Sequence, residues 1–224
     1  KELKSFEHAH EDVKVIVKAL SSIKYSIHVS QDVKQKALED YEIFARDMTT
    51  RLHQRAKKSN SVKHFELSSD AYQIYLGFFK ENICFNKMQS NYAQALFNAK
   101  RFALAGNVFE RLALNSEQAK DKKRHLYSAT LSFYEALKDR ESLNYYDTVQ
   151  SQSGLAQTGE RYVSSYPNSK EVPNVLFNIA WIRYDEGKFD ESIAKFSDFI
   201  KTYPNSKSTK AAVKLIVDAY TIKE

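Results

Sequence analysis

Apolar residues recur every three or four positions along most of the chain, and the stretch from Pro173 to Ser206 shows the pattern most clearly. Leu176, Ile179, Ala180 and Arg183-Tyr184 follow it before Gly187-Lys188; Phe189, Ser192-Ile193, Phe196 and Phe199-Ile200 follow it afterwards. The period predicts two amphipathic helices. Gly187 supplies the permissive backbone of a tight turn between them, and Pro204 cannot continue the second. The small residues Ala180 and Ser192 stand where antiparallel helices must approach closely, and Phe196 and Phe199 are placed to fill the gap to a following hairpin.

The same reading runs down the rest of the chain. Phe6, Ala9, Val13, Ile16-Val17, Leu20 and Ile23 predict a helix from Ser5 to about Ile27. Val33, Ala37, Tyr41, Phe44-Ala45, Met48 and Leu52 predict a second to about Lys57, with Ser30 or Asp32 placed to cap it. Lys57 to Ser61 reads as a loop, and a third helix runs from about Phe65 to Glu81. Further first-helix patterns lie at Asn86–Lys100, Glu117–Leu137 and, after Ser206, through Ala211-Ala212, Leu215-Ile216 and Ala219-Tyr220.

A repeat emerges from these positions. Ala71, Tyr75 and Phe78 return 34 residues later as Ala105, Phe109 and Leu112, and Ala129 follows Ala93 by 36. Arg101-Phe102-Ala103 resembles the Lys188-Phe189-Asp190 turn without a glycine, which makes 86–117 a second repeat beside 173–206. Ala129 to Ala180 is 51 residues, about one and a half repeats, so Asp139 to Ser153 is an insertion or a lengthened hairpin.

This unit of a helical hairpin with small residues at the crossing and a terminal Pro resembles the tetratricopeptide repeat. Leu176 stands for the consensus Trp, Ala180 for the Gly, and Arg183, with Tyr184 beside it, for the Tyr. The resemblance implies an all-α protein, an α-solenoid of antiparallel helical hairpins wound into a right-handed superhelix. On this reading residues 1–62 form an N-terminal hairpin, either a degenerate repeat or a cap. Residues 63–224 form the solenoid, with the insertion near 139–153 and an incomplete last repeat. Tyr-Pro-Asn-Ser-Lys ends two second helices, at Tyr166–Lys170 and Tyr203–Lys207. That recurrence is similar to bacterial cell-envelope tetratricopeptide proteins, of the outer-membrane assembly lipoprotein and Tol–Pal coordinator type, over roughly residues 64–224. It implies a periplasmic scaffold, with a cytoplasmic location as the alternative.

Composition agrees with helices and narrows the chemistry. Five Gly and three Pro are few, and no apolar run approaches the roughly 20 residues of a membrane span. The chain starts without Met and runs from Lys1-Glu2-Leu3-Lys4 straight into an amphipathic pattern, which reads as a piece excised from a longer protein, with any export signal or anchor of that protein missing from it. The 34 basic residues exceed the 28 acidic ones by six, but the two signs are interspersed, as on a solvated surface. Cys84 stands alone, excluding an internal disulfide, and its neighbours Ile83 and Phe85 suggest buried packing. The five glycines form no phosphate-cradling loop, and neither Gly-x-Ser-x-Gly nor His-Glu-x-x-His occurs. His8 and His10 point apart on a helix and cannot share a metal, although His8 with Asp12 could. We expect no enzyme activity, no cofactor and no metal.

The remaining candidates follow from the resemblance, in which first helices line a groove that holds a ligand. Carried onto this chain, that face holds Asn91, Gln94, Phe97 and Asn98, then Tyr127, Thr130 and Tyr134, then Asn178, Trp181 and Asp185. Its aromatics would anchor a peptide segment of another protein; the alternative is that Tyr134 and Trp181 pack between neighbouring repeats. The chaperone-type carboxylate clamp is not reproduced, since Ser90 and Gln94 stand where Lys and Asn would be needed. Lys120, Lys122, Lys123 and Arg124 form the densest basic cluster, a solvated loop or a docking patch for an acidic partner. One short cluster falls short of a nucleic-acid interface. The expected role is a protein–protein interaction scaffold, with self-association through the unfinished last repeat as a further expectation. The alternative is a regulatory or self-assembling segment of a larger protein whose catalytic part lies elsewhere.

Overall fold

The structure, a computed structural model, describes residues 2–80 and 82–223, with side chains from residue 8 onward. The expectations for Phe6 and Glu81 lie outside the described residues. Among the described residues every regular element is helical. In order they are α1 (Glu2–Tyr25), α2 (Gln31–Ser59), α3 (Val62–Phe78), α4 (Phe85–Asn98), α5 (Phe102–Asn115), α6 (Ala119–Lys138), α7 (Tyr145–Ser165), α8 (Val172–Asp185), α9 (Phe189–Thr202) and α10 (Thr209–Lys223), with a 3-10 turn at Arg140–Ser142. The all-α solenoid class is the observed one, since within each of two compact units helices pack against their successors in sequence.

Local chemistry sets the ends of these helices. Ser30 takes the extended N-cap conformation of α2 without a side-chain bond, and Asn60 closes the helix in the left-handed region at φ 48°. The helix therefore runs two residues further than Lys57, to Ser59. Asn144 caps α7 reciprocally: its side chain accepts from the Asp147 N–H at 2.8 Å and donates to the Asp147 carboxylate at 2.8 Å. The segment 145–153 is thus the opening of a 21-residue helix.

Two turns share one hydrogen-bonding pattern. At the end of α8, Gly187 has φ 73°, and the Lys188 N–H reaches back to the Arg183 carbonyl at 2.8 Å. At the end of α4, Lys100 has φ 60°, and the Arg101 N–H reaches back to the Leu96 carbonyl at 2.9 Å. Both are left-handed helix terminations in which a six-residue ring satisfies an orphan carbonyl. Lys100 does without Cβ freedom what Gly187 does with it.

The chain divides into two compact units, Lys1–Arg101 and Phe102–Glu224. The expected repeat at 86–117 falls across this division, with α4 in the first unit and α5 in the second. In the first unit α3 packs on both α1 and α2, and α4 packs on α3. Its core combines Leu20, Ala45, Tyr72, Tyr75 and Met88 with a second cluster around Leu52, Phe65 and Ala71. In the second unit each helix from α5 to α10 packs on the next, and α5 on α7, α6 on α8 and α8 on α10 make the alternate contacts of stacked hairpins.

Small residues sit at the crossings, as the repeat pattern requires. Ala71, Ala93, Ala105, Ala129, Ala180 and Ser192 are all fully buried. The Ser192 hydroxyl donates to the Ala180 carbonyl at 3.2 Å, so α8 and α9 touch backbone to side chain. Phe196 and Phe199 pack with Phe177, Ala180 and Ala212, filling the space between this hairpin and α10.

Candidate functional site

The second unit brings the aromatic candidates together across its first helices. Tyr134 on α6 meets Trp181 on α8 edge to face, with ring centroids 5.0 Å apart and planes at 82°. Both rings are half-buried, and Trp181 also packs against the cluster around Phe177 and Phe196. They therefore link neighbouring hairpins and keep a surface. Burial, reinforced by the Glu135 carboxylate, pushes the Tyr134 phenol above its ordinary pKa.

Charges are arranged around this pair. One turn from Tyr134, the Lys138 ammonium lies over its ring at 5.3 Å and pairs with Glu135 at 3.2 Å. One turn from Trp181, Asp185 accepts from Arg140 at 2.7 Å and from Gln152 at 3.5 Å. Next along α8, the Tyr184 hydroxyl donates to Asp218 of α10. The surface of α6, α8 and α10 is thus a row of aromatic rings with paired charges at its edges.

The other expected groove residues divide by burial. Thr130 is fully buried and bonds Thr158 of α7 at 3.0 Å and the Leu126 carbonyl at 3.0 Å, so it faces the core. The resemblance put it on the groove face, but a helical Thr satisfies its hydroxyl on the preceding turn and can be buried. Asn178 is also buried. Tyr127 is half-buried, with its ring 5.6 Å from that of Tyr162 on α7.

In the first unit, Asn91 lines a cleft of about 520 Å³ between α2 and α4, together with Ile43, Phe44, Thr50, Cys84 and Met88. The buried Tyr72 hydroxyl meets His53 Nδ1 at 3.1 Å, and the Thr50 hydroxyl donates to the Arg46 carbonyl at 2.7 Å. Gln94 and Phe97 are half-buried and Asn98 is exposed. Cys84 is half-buried, where burial was expected, and its Sγ accepts from Arg46 Nη1 at 2.7 Å. Arg46 in turn pairs at 3.2 Å with the buried Glu42, which accepts from the Tyr75 hydroxyl. Neither the cleft nor this buried relay has a local sequence signature, because its members come from α2, α3 and α4.

The basic cluster is partly neutralised. Arg124 pairs with Asp121 at 2.9 Å; Lys123 lies 3.9 Å from Glu171 and over the Tyr166 ring at 5.9 Å. Lys123 thereby braces the first Tyr-Pro-Asn-Ser-Lys turn, where the Ser169 hydroxyl holds the Glu171 carboxyl below its ordinary range. Lys120 and Lys122 stay exposed. Among the described residues no group of three His, Cys, Asp or Glu side chains is placed to hold a metal ion, and no helix is long and apolar enough to cross a membrane.

With this geometry in view, comparison with known families gives one match. Residues 174–206 match the tetratricopeptide repeat. No curated protein matches the chain. The matched repeat is the α8–α9 hairpin with the Gly187 turn at its centre, and it carries both Trp181 and Asp185. The tetratricopeptide repeat is in general a non-catalytic module that binds protein partners.

Proposed function

We propose that the protein is a non-enzymatic scaffold that holds an extended or helical segment of a partner protein against its first helices. The observation that carries this reading is the Tyr134–Trp181 pair, two large aromatic rings that bridge neighbouring hairpins and remain half-exposed. Rigid aromatics of this kind dominate interface energetics because they bury much area with little loss of rotamer freedom. The ion pairs around them, Lys138–Glu135 and Arg140–Asp185, form a polar rim that excludes water from the contact. The first unit has an apolar cleft of its own between α2 and α4, lined by Met88, Ile43 and Phe44.

We place this scaffold in a bacterial cell envelope. Support comes from the Tyr-Pro-Asn-Ser-Lys ending of two second helices, the feature similar to periplasmic tetratricopeptide proteins. Fractionation of the source cells, with an antibody to this chain, tests the compartment: recovery with periplasmic markers fits, and recovery with cytosolic markers refutes it. The binding surface is tested separately by partner capture with wild-type protein and a Tyr134→Ala/Trp181→Ala variant.

A further inference from the structure

The two Tyr-Pro-Asn-Ser-Lys turns share one backbone and differ in what they hold. In the first, the N–H groups of Tyr166, Ser169, Val172 and Val175 donate to the carbonyls of Tyr162, Tyr166, Ser169 and Glu171 at 2.9–3.1 Å. In the second, those of Tyr203, Ser206, Thr209 and Ala212 donate to Phe199, Tyr203, Ser206 and Ser208 at 2.8–3.1 Å. Bond for bond, the second turn repeats the first.

The first turn seats a carboxylate of its own. Glu171 accepts from the Ser169 hydroxyl and from the Tyr162 hydroxyl at 3.2 Å, and Lys123 and Lys170 each lie 3.9 Å from its oxygens. In the second turn Ser206 and Lys207 repeat Ser169 and Lys170, but Ser208 stands in the place of Glu171. Lys123, six residues before the crossing residue Ala129, has its counterpart in Asn174, six before Ala180. Phe199 replaces Tyr162, so that one of the two hydroxyls is lost.

The shorter Asn174 and Ser208 leave room where Lys123 and Glu171 fill the first turn. A cleft of about 420 Å³ lies there, lined by Asn174, Tyr203 and Ser206 and by one lysine from each turn, Lys170 and Lys207. None of the described residues lining it is acidic. The Ser206 oxygen accepts from the Ser208 N–H at 3.3 Å, which leaves its hydroxyl proton to donate. A hydroxyl and an amide flanked by two ammonium groups make a donor set for a carboxylate.

We propose that this cleft receives an acidic side chain of a partner protein, seated at Ser206-Lys207 as Glu171 is seated at Ser169-Lys170. The partner it fits is a segment with several carboxylates, which can meet Lys170 and Lys207 together. The site uses neither Tyr134 nor Trp181, so it can fail while segment binding at that pair stands, and the reverse.

The test is an NMR titration of the backbone amides with hexaglutamate at neutral pH and about 0.15 M salt. In wild type the amides of Ser206, Lys207 and Ser208 should shift along one saturating curve. Ser208→Glu supplies the carboxylate from within and should weaken binding by about tenfold, whereas Ser208→Gln, of equal length and uncharged, should leave it intact. Lys207→Gln should weaken it as well. Lys122→Gln, in the other basic cluster, changes net charge by the same single unit as Ser208→Glu and should have no effect. The Tyr134→Ala/Trp181→Ala variant should also bind the peptide as wild type does. Equal losses on Ser208→Glu and Lys122→Gln would mean that net charge alone attracts the peptide, and would overturn the proposal. So would shifts centred on Lys120 to Arg124, or no saturating shift at the second turn.

Discussion

The Phe133 ring lies so close to Gly154 that a Cβ added there would come within 2.5 Å of Cε2, and the opposite edge of the ring is 2.6 Å from a Cβ position at Gly106. One fully buried aromatic on α6 is therefore clasped between glycines of α5 and α7. Both glycines sit inside helices, where they are unfavourable by roughly 0.5–1 kcal/mol relative to Ala. The close approach of three helices explains their presence.

Gly154→Ala should lower stability by about 1–3 kcal/mol, since the ring cannot retreat toward Gly106. Gly77→Ala on α3, where a Cβ meets nothing within 4 Å, should leave stability unchanged or raise it by about 0.5 kcal/mol. Urea denaturation at constant m-value reads both. Equal effects of the two substitutions would contradict the clasp.

The matched turns at Lys100 and Gly187 predict opposite responses. Lys100→Gly should raise stability and Gly187→Ala lower it, each by about 1 kcal/mol, because only the residue at positive φ changes. Thermal unfolding of the two variants beside wild type measures the signs. A loss of stability on Lys100→Gly would mean that the lysine side chain does more than occupy the turn.

Three histidines give the fold a pH dependence. Burial and the nearby Lys57 hold His53 down to about 4. Burial, helped by Lys14 and Arg124 respectively, lowers His10 and His125 as well. Each binds its proton more weakly folded than unfolded, so the unfolded chain gains protons as pH falls below about 6.5. Stability should be level above that value and decline between about 6.5 and 4, by on the order of 2–3 kcal/mol from His53. His53→Gln should flatten the decline in denaturation midpoints measured from pH 7.5 to 4.5. An undiminished slope would place the protonation elsewhere.

The helices and their crossings were legible because both follow from local periodicity. Ala180, Ser192, Phe196 and Phe199 could be placed from spacing alone, and each does in the structure what a hairpin crossing needs. What spacing does not show is which of two apolar stripes turns inward. Val33, Tyr41 and Phe44 satisfy the helical period on α2, yet the core side is built on Ala45, Thr49 and His53, with the charged Glu42 buried beside them. A buried Glu reads as surface until its partners, Tyr75 and Arg46, are known. Gly106, Gly154 and Gly159 spoke only against a phosphate loop; their packing role requires Phe133 and Ile179 from other helices. Arg140 and Asp185 lie 45 residues apart, beyond the reach of any local pattern.

The segment-binding surface is tested most directly by quantitative capture of partner proteins from source-cell extracts on four immobilised forms: wild type, Tyr134→Ala, Trp181→Ala and Lys138→Glu. The last changes only an exposed side chain whose ammonium lies over the Tyr134 ring, so it leaves the core intact. A partner held by wild type should be lost from both aromatic variants and weakened on Lys138→Glu. A partner retained equally by all four folded forms would move binding away from the α6–α8 surface and contradict the role assigned to Tyr134 and Trp181.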